Sequence, residues 1–288
     1  TGKDIFYVSD KFGFRNKNSD WNEKNIEFVL VGDSFVHGAC EDQKNTIAGH
    51  LKNEGNSVIN LGLGGAGPLR EYAIFNEFAK IIKPSNVIWF YAEGTDLTKD
   101  LRGEKKDIDL MNYIKDGYSQ NLIVNQKKIK DQMTLFIQNR ISEEIKDKKF
   151  TQNNQDTINN KISKFLESTK ILRLWNLRHL ISNLLEMNIE LDPLFFEVLE
   201  KTNNHVNSWG GQLFFVYMPE ARRYDNHLNR FVLKGKYRNK NTLLNKVKNM
   251  KIEIIDVDHD IFSKNENPLT YFNKINVHYN ELGYKLIA

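Results

Sequence analysis

Cysteine is almost missing from this chain: Cys40 is the only one in 288 residues. A lone thiol excludes an internal disulfide framework and any zinc site built on cysteines, and it is compatible with either redox compartment. A strong charge of one sign is missing too. The 41 basic residues stand against 37 acidic ones, a net of +4, so no nucleic-acid footprint follows from the total. No apolar run approaches the roughly 18–20 residues needed to cross a bilayer, so no membrane span is expected. The chain opens on Thr1 without a methionine and stops directly after Leu286-Ile287-Ala288. A trimmed piece of a longer protein is therefore expected, and its start says nothing for or against a leader or anchor.

What is present suffices for a sizeable core, since 40% of the residues are hydrophobic and 11% aromatic. The short β-branched run Phe28-Val29-Leu30-Val31 predicts a buried strand. Ser57–Leu61, Asn86–Tyr91, Gln212–Met218 and Lys251–Val257 predict four more. Helical spacing falls between them, at Thr46–Leu51, Leu69–Ile82, Leu194–Asn203 and Asn229–Met250. Strands alternating with helices predict a parallel sheet covered on both faces. Residues 1–25 read as an extended lead-in anchored by Phe14. From about 101 to 207 strand signals are scarce, and Met133–Ile145 and Ile162–Leu185 carry helical periodicity. That stretch reads as a helical insertion, a cap over the site, with Lys146–Asn160 polar enough to be mobile. Trp175 and His179 within it read as packing residues.

The carboxyl ends of three strands carry polar or glycine-rich loops. Ser34 follows the first strand in Gly32-Asp33-Ser34; taken alone, that tripeptide is a turn with a helix N-cap. The second strand runs into Gly62-Leu63-Gly64-Gly65-Ala66-Gly67, where the backbone must approach something closely or take positive φ. A dinucleotide fingerprint does not fit this spacing. The third ends in Glu93-Gly94-Thr95-Asp96, and His278 stands late in the chain. Ligands of open α/β sheets bind at this edge. A serine hydrolase needs such a set: a base to take the serine proton and preorganised donors for the oxyanion.

In these motifs the chain resembles the SGNH (GDSL-type) hydrolase superfamily, over most of its length outside the insertion. Gly32-Asp33-Ser34 matches the first motif and Asn60-Leu61-Gly62-Leu63-Gly64-Gly65 the second, with the oxyanion glycine on Gly65. Glu93-Gly94-Thr95-Asp96 stands for the third, and His278 for the fourth. The resemblance implies a three-layer α/β/α sandwich with a mainly parallel central sheet, the flavodoxin-like SGNH fold, as a single domain over 1–288. It also implies ester hydrolysis or acyl transfer without metal or cofactor, in the cell envelope or outside the cell. Ser34 would be the nucleophile and His278 the base, with the amides of Ser34 and Gly65 and the Thr95 hydroxyl as oxyanion hole.

Two positions depart from the family pattern. Thr95 stands where the family has an asparagine donor, and a lost oxyanion donor costs about 2.7–4 kcal/mol of barrier. Asn276 and Ile275 stand where the family places the acid that orients the histidine. An Asp-to-Asn change at the orienting position of a Ser-His-Asp triad lowers kcat about 10⁴-fold. Asn276 can still orient the ring, or a backbone carbonyl or a displaced acid, Asp256, Asp258 or Asp260, takes the task.

Of the remaining candidates, His37 lies one helical turn past Ser34 as a group behind the site or a packing residue. Asp33 holds the turn. Glu93 and Asp96 read as braces for the loops rather than a glycosidase pair. His227 with Asp225, and His259 with Asp258 and Asp260, look like fragments of metal sites but lack ligand spacing. The expected function is a serine esterase acting on O-acyl, including acetyl, esters of a carbohydrate or small molecule. An O-acyltransferase using the same residues and a binding or assembly module with weakened catalysis are the alternatives.

Overall fold

The computed structural model describes residues 5–151, 191–224, 237–273 and 278–288. The chain divides into two compact units, Thr1–Gln120 with Asn188–Ala288, and Asn121–Met187. The expected insertion thus has its middle in the second unit, while residues 101–120 and 188–207 belong to the first.

The first unit is built on five strands: β1 (Phe28–Val31), β2 (Val58–Asn60), β3 (Asn86–Ala92), β4 (Gln212–Met218) and β5 (Glu253–Asp256). Their spatial order is β2-β1-β3-β4-β5, and every pairing among them is parallel. This is the doubly wound order whose switch point lies between β1 and β3. Strands buried on both faces need apolar residues throughout. Accordingly Val29, Leu30, Val31, Trp89 and Phe215 are completely buried.

One helical layer holds α1 (Ser34–His37), α2 (Ile47–Asn53), α10 (Val257–Asp260) and α11 (Glu281–Ile287). Its side chains, among them Val36, Ile47, Leu51, Val257 and Tyr284, pack in one core with Leu30, Phe90, Val216 and Met218 of the sheet. The opposite layer holds α3 (Pro68–Ile74) and α8 (Pro193–Ser208). There Phe195 of α8 lies 5.5 Å from Tyr91 of β3, ring centre to ring centre. The helix expected over Leu69–Ile82 is not uniform: α3 passes through a π-turn at Phe75–Ala79 into α4 (Lys80–Ile82). The shorter helices α5 (Leu101–Glu104) and α6 (Ile108–Asn112) precede the second unit, and α9 (Lys240–Asn249) precedes β5.

In the second unit α7 spans Gln126–Thr151. It runs through Lys146–Thr151, which polarity alone marks as mobile, because lysine is a good helix former wherever packing does not decide. Residues 152–190, with Ile162–Leu185, Trp175 and His179, lie outside the described residues, as do 225–236 with Asp225 and His227. Among the described residues no helix is long and apolar enough to cross a membrane.

The lead-in is tied into the sheet by side-chain amides. Phe14 is 5% exposed and meets Phe78 edge-on. Asn16 Nδ2 donates to the Asn60 carbonyl at 2.9 Å, and the Asn60 N–H donates back to Asn16 Oδ1 at 2.8 Å. Leaving a buried donor and acceptor unpaired costs about 1–3 kcal/mol. Asn16→Ala is therefore expected to lower the unfolding free energy by about 1–3 kcal/mol in urea titration, with an unchanged m-value.

Candidate active site

The turn that carries Ser34 is built by close packing. A Cβ on Gly32 would stand 2.4 Å from Val36 Cγ2, and one on Gly62 would stand 2.3 Å from the His37 nitrogen. These two glycines let the β1–α1 turn and the loop after β2 approach each other. Asp33 Oδ1 accepts from the Phe35 N–H at 2.9 Å and caps α1, so the first-turn amide is satisfied without involving the Ser34 side chain. Asn60, at the end of β2, donates from Nδ2 to the Val36 carbonyl and accepts from the Gly62 N–H, both at 2.8 Å. Leu63 N–H donates to the Gly32 carbonyl at 3.1 Å. The loop then emerges: Gly64 and Gly65 are exposed, and Gly65 takes φ +75°.

His278 Nε2 lies 2.8 Å from Ser34 Oγ, across 244 residues of sequence. The imidazole centre is 4.9 Å from that of Phe35, and the backbone that carries it is tied down: the His278 carbonyl accepts from the Asn273 N–H at 2.9 Å, and the Tyr279 hydroxyl donates to the Pro219 carbonyl at 2.7 Å. Burial lowers the His278 pKa, which keeps the ring neutral and able to accept a proton near neutral pH. Asn276 lies outside the described residues. The three displaced acids are bound elsewhere. Asp258 pairs with Arg223 at 3.3 Å and Lys240 at 2.7 Å. Asp256 pairs with Lys240 at 2.8 Å, and Asp260 with His259 Nδ1 at 2.9 Å. Among the described residues no group of three or more His, Cys, Asp or Glu side chains is arranged to hold a metal ion.

Thr95 follows β3 and its hydroxyl donates to Asp96 Oδ1 at 3.4 Å. A hydroxyl has one proton to give, and at 3.4 Å this bond is long for one between a hydroxyl and an oxygen. Asp96 is fully buried and accepts from the Ala92 N–H through Oδ2 at 2.9 Å. Glu93 is buried too. Its Oε2 accepts from Arg223 Nε at 3.0 Å, and its Oε1 accepts from both Arg223 Nη2 and the Tyr217 hydroxyl. It therefore ties β3 to β4 and to the segment after β4. His37 Nε2 sits 3.1 Å from the Tyr7 hydroxyl. Burial, then Arg15 and His278, hold its pKa below the ordinary value.

Sequence reasoning missed a group of acids behind this turn. Glu71, on α3, is completely buried, and neither carboxylate oxygen has a hydrogen-bond partner. Burial first, then the charges of Asp96, Asp33, Glu104 and Asp100, push its pKa well above the usual range. Burial likewise raises Asp33 to about 7. Glu104 differs: it accepts from the Gly67 and Leu69 N–H groups at 2.7 and 3.0 Å. Glu71 reads in sequence as one polar position of an amphipathic helix; only an unpartnered acid on the inward side would have signalled it.

Neither a protein-family model nor a curated protein matches this chain. Solved structures similar to it include a lipolytic protein of the G-D-S-L family from Desulfitobacterium hafniense, at 14% identity and TM-score 0.45, covering 91% of this chain and 95% of that one. An acetyl xylan esterase aligns at 11% identity and TM-score 0.45 over 91% of this chain and 96% of the other. A lipase/acylhydrolase from Enterococcus faecalis does so at 11% and 0.45 over 91% and 90%. At that similarity no substrate or residue role passes from them to this chain.

An acid whose pKa is raised by folding binds its proton more tightly in the folded than in the unfolded chain. Its contribution to stability is intact below the unfolded pKa and is lost as pH rises through the folded one. Asp33 accounts for such a loss between the ordinary value of 3.8 and about 7, and Glu71 extends it upward. Thermal melting of the wild type is expected to fall as pH rises across this range, with a shallower fall in Glu71→Gln.

Proposed function

We propose that this chain is a divergent SGNH-type serine esterase that cleaves O-acyl esters of a carbohydrate or another small molecule. The observation that supports this reading most is the 2.8 Å approach of His278 Nε2 to Ser34 Oγ at the carboxyl edge of a parallel sheet, beside its switch point. Ser34 Oγ attacks the acyl carbon while His278 Nε2 takes the hydroxyl proton. The oxyanion that forms is met by the backbone N–H groups of Ser34 and Gly65. Thr95 joins them only by releasing Asp96. Collapse expels the alcohol, which receives the proton from His278, and water then repeats the sequence in reverse to free the acid. Asp33, Asp96 and Glu93 hold the loops that carry these groups.

The bond from Thr95 to Asp96 favours a second reading, an SGNH-fold binding or assembly module whose catalysis is weakened. An oxyanion hole short of one donor works about 100–1,000-fold more slowly, which separates a slow enzyme from one with a full set.

A fluorophosphonate probe followed by peptide mass mapping distinguishes the two. Labelling is expected at Ser34, absent in Ser34→Ala and at least 100-fold slower in His278→Ala. Because the neutral imidazole is the base and burial lowers its pKa, the labelling rate should fall with acidification at a midpoint below 6.5. A folded wild type that takes no label rejects the esterase and leaves the module.

A further inference from the structure

Helix α1, which carries Ser34, is a single turn of four residues. So short a helix has no stability of its own, and the direction in which Ser34 points is decided by whatever grips its two ends. At the start the grip is Asp33. At the other end Gly38 takes φ +77°, and the carbonyls that leave the turn accept hydrogen bonds from one side chain of the lead-in. Arg15 Nη1 donates to the Gly38 carbonyl at 2.5 Å and the His37 carbonyl at 3.3 Å, and Nη2 donates to the Glu41 carbonyl at 2.6 Å. Its neighbour Asn16 holds Asn60, which in turn holds the Val36 carbonyl. Two successive residues of the lead-in thus reach the same turn, one directly and one through β2.

Arg15 is an expensive way to fill this space. It is 2% exposed, its Nε has no partner, and its Nη1 and Nη2 donate to carbonyl oxygens. A buried guanidinium without a carboxylate bond gives up hydration for little Coulombic return. An apolar side chain would fill the volume at lower cost, but it would take this donor from three carbonyls, that of Gly38 keeping the Glu41 N–H at 3.4 Å, and leave the turn unheld. Only a planar fork can serve carbonyls at 37, 38 and 41 together. The face of Tyr7, 4.7 Å from the guanidinium carbon, closes the group from outside and brings its hydroxyl to His37.

We propose that Arg15 is a positioning residue of the nucleophile: by gripping the carbonyl end of α1 it fixes Ser34 Oγ within hydrogen-bond reach of His278. This rests on the esterase reading for its kinetic consequence, but the geometry it asserts is measurable without catalysis. The lead-in is then a working part of the active site rather than a cover laid over the domain.

The test compares wild type, Arg15→Ala, Arg15→Lys and Ser34→Ala, each below its own melting temperature. Fluorophosphonate labelling of Arg15→Ala is expected to be at least tenfold slower at saturating probe, with unchanged half-saturation, and partly restored by methylguanidinium. Arg15→Lys, with one donor group in place of a fork, should fall between. In spectra of protein carrying ¹⁵N-histidine, the His278 Nε2 signal of Arg15→Ala should move to its position in Ser34→Ala. Labelling within twofold of wild type overturns the proposal, and so does an unshifted His278 signal. If Arg15→Ala does not fold, Arg15→Lys is read by the same two criteria. A wild type that takes no label rejects the esterase alone, and the histidine spectra still decide about Arg15.

Discussion

The register of β1 against β3 governs everything at the carboxyl edge. Leu30 stands opposite Ile88 and Val31 opposite Trp89. A shift of one residue would exchange the faces of every side chain on β1, sending Leu30 into the wrong core and displacing the serine turn from its place beside the third strand. Because both faces of the sheet are buried, the register is held by packing on two sides. The loops that leave β1, β2 and β3 therefore start from points fixed relative to one another, and their glycines need only bring them into contact.

Electrostatics divides that edge into two halves. Around β4 and β5 the acids are paired: Glu93 with Arg223 and Tyr217, and Asp258 with Arg223, Lys240, Tyr224 and Ser263. Behind β1 and α3 the Glu71 carboxylate has no hydrogen-bond partner, while Glu104 accepts from the Gly67 and Leu69 N–H groups. Within the paired half burial raises the Glu93 pKa against the pull of Arg223 and Tyr217, whereas Arg223 and Lys240 hold Asp258 below its ordinary value against its burial. Burial raises Glu71 and Asp33 above the ordinary carboxylate range, which favours their protonated forms. Arg15, a buried cation of the lead-in, faces the carbonyls at the end of α1 and satisfies them.

Much of this was legible in the chain. The five apolar runs gave five strands, since a β-branched run of that length bounded by turn residues has few other uses, and the glycine-rich and polar loops fell at their carboxyl ends as the alternation required. Ser34 and His278 were found through motif and order, and the structure brings them together. Periodicity reports that a residue is buried but not what it meets, and the long-range polar partners were lost for that reason. Arg15 read as part of an aromatic phrase in which Phe14 was the anchor. Arg223 gave no sign of its pairing with Glu93, 130 residues away. Thr95 was read as a donor to substrate, and only its geometry shows the bond to Asp96. Asn276, on which the orientation of the imidazole was expected to turn, lies outside the described residues.

The separation of 244 residues between serine and histidine also sets an order of events. A ribosome makes the serine turn, its arginine grip and the first three strands long before the histidine, and domains form as their chain emerges. Contacts of such long range close late, after the loop between them has been ordered. Ser34 is thus made long before the residue it meets, and the 2.8 Å contact between them closes only once β4, β5 and the segment that carries His278 are in place.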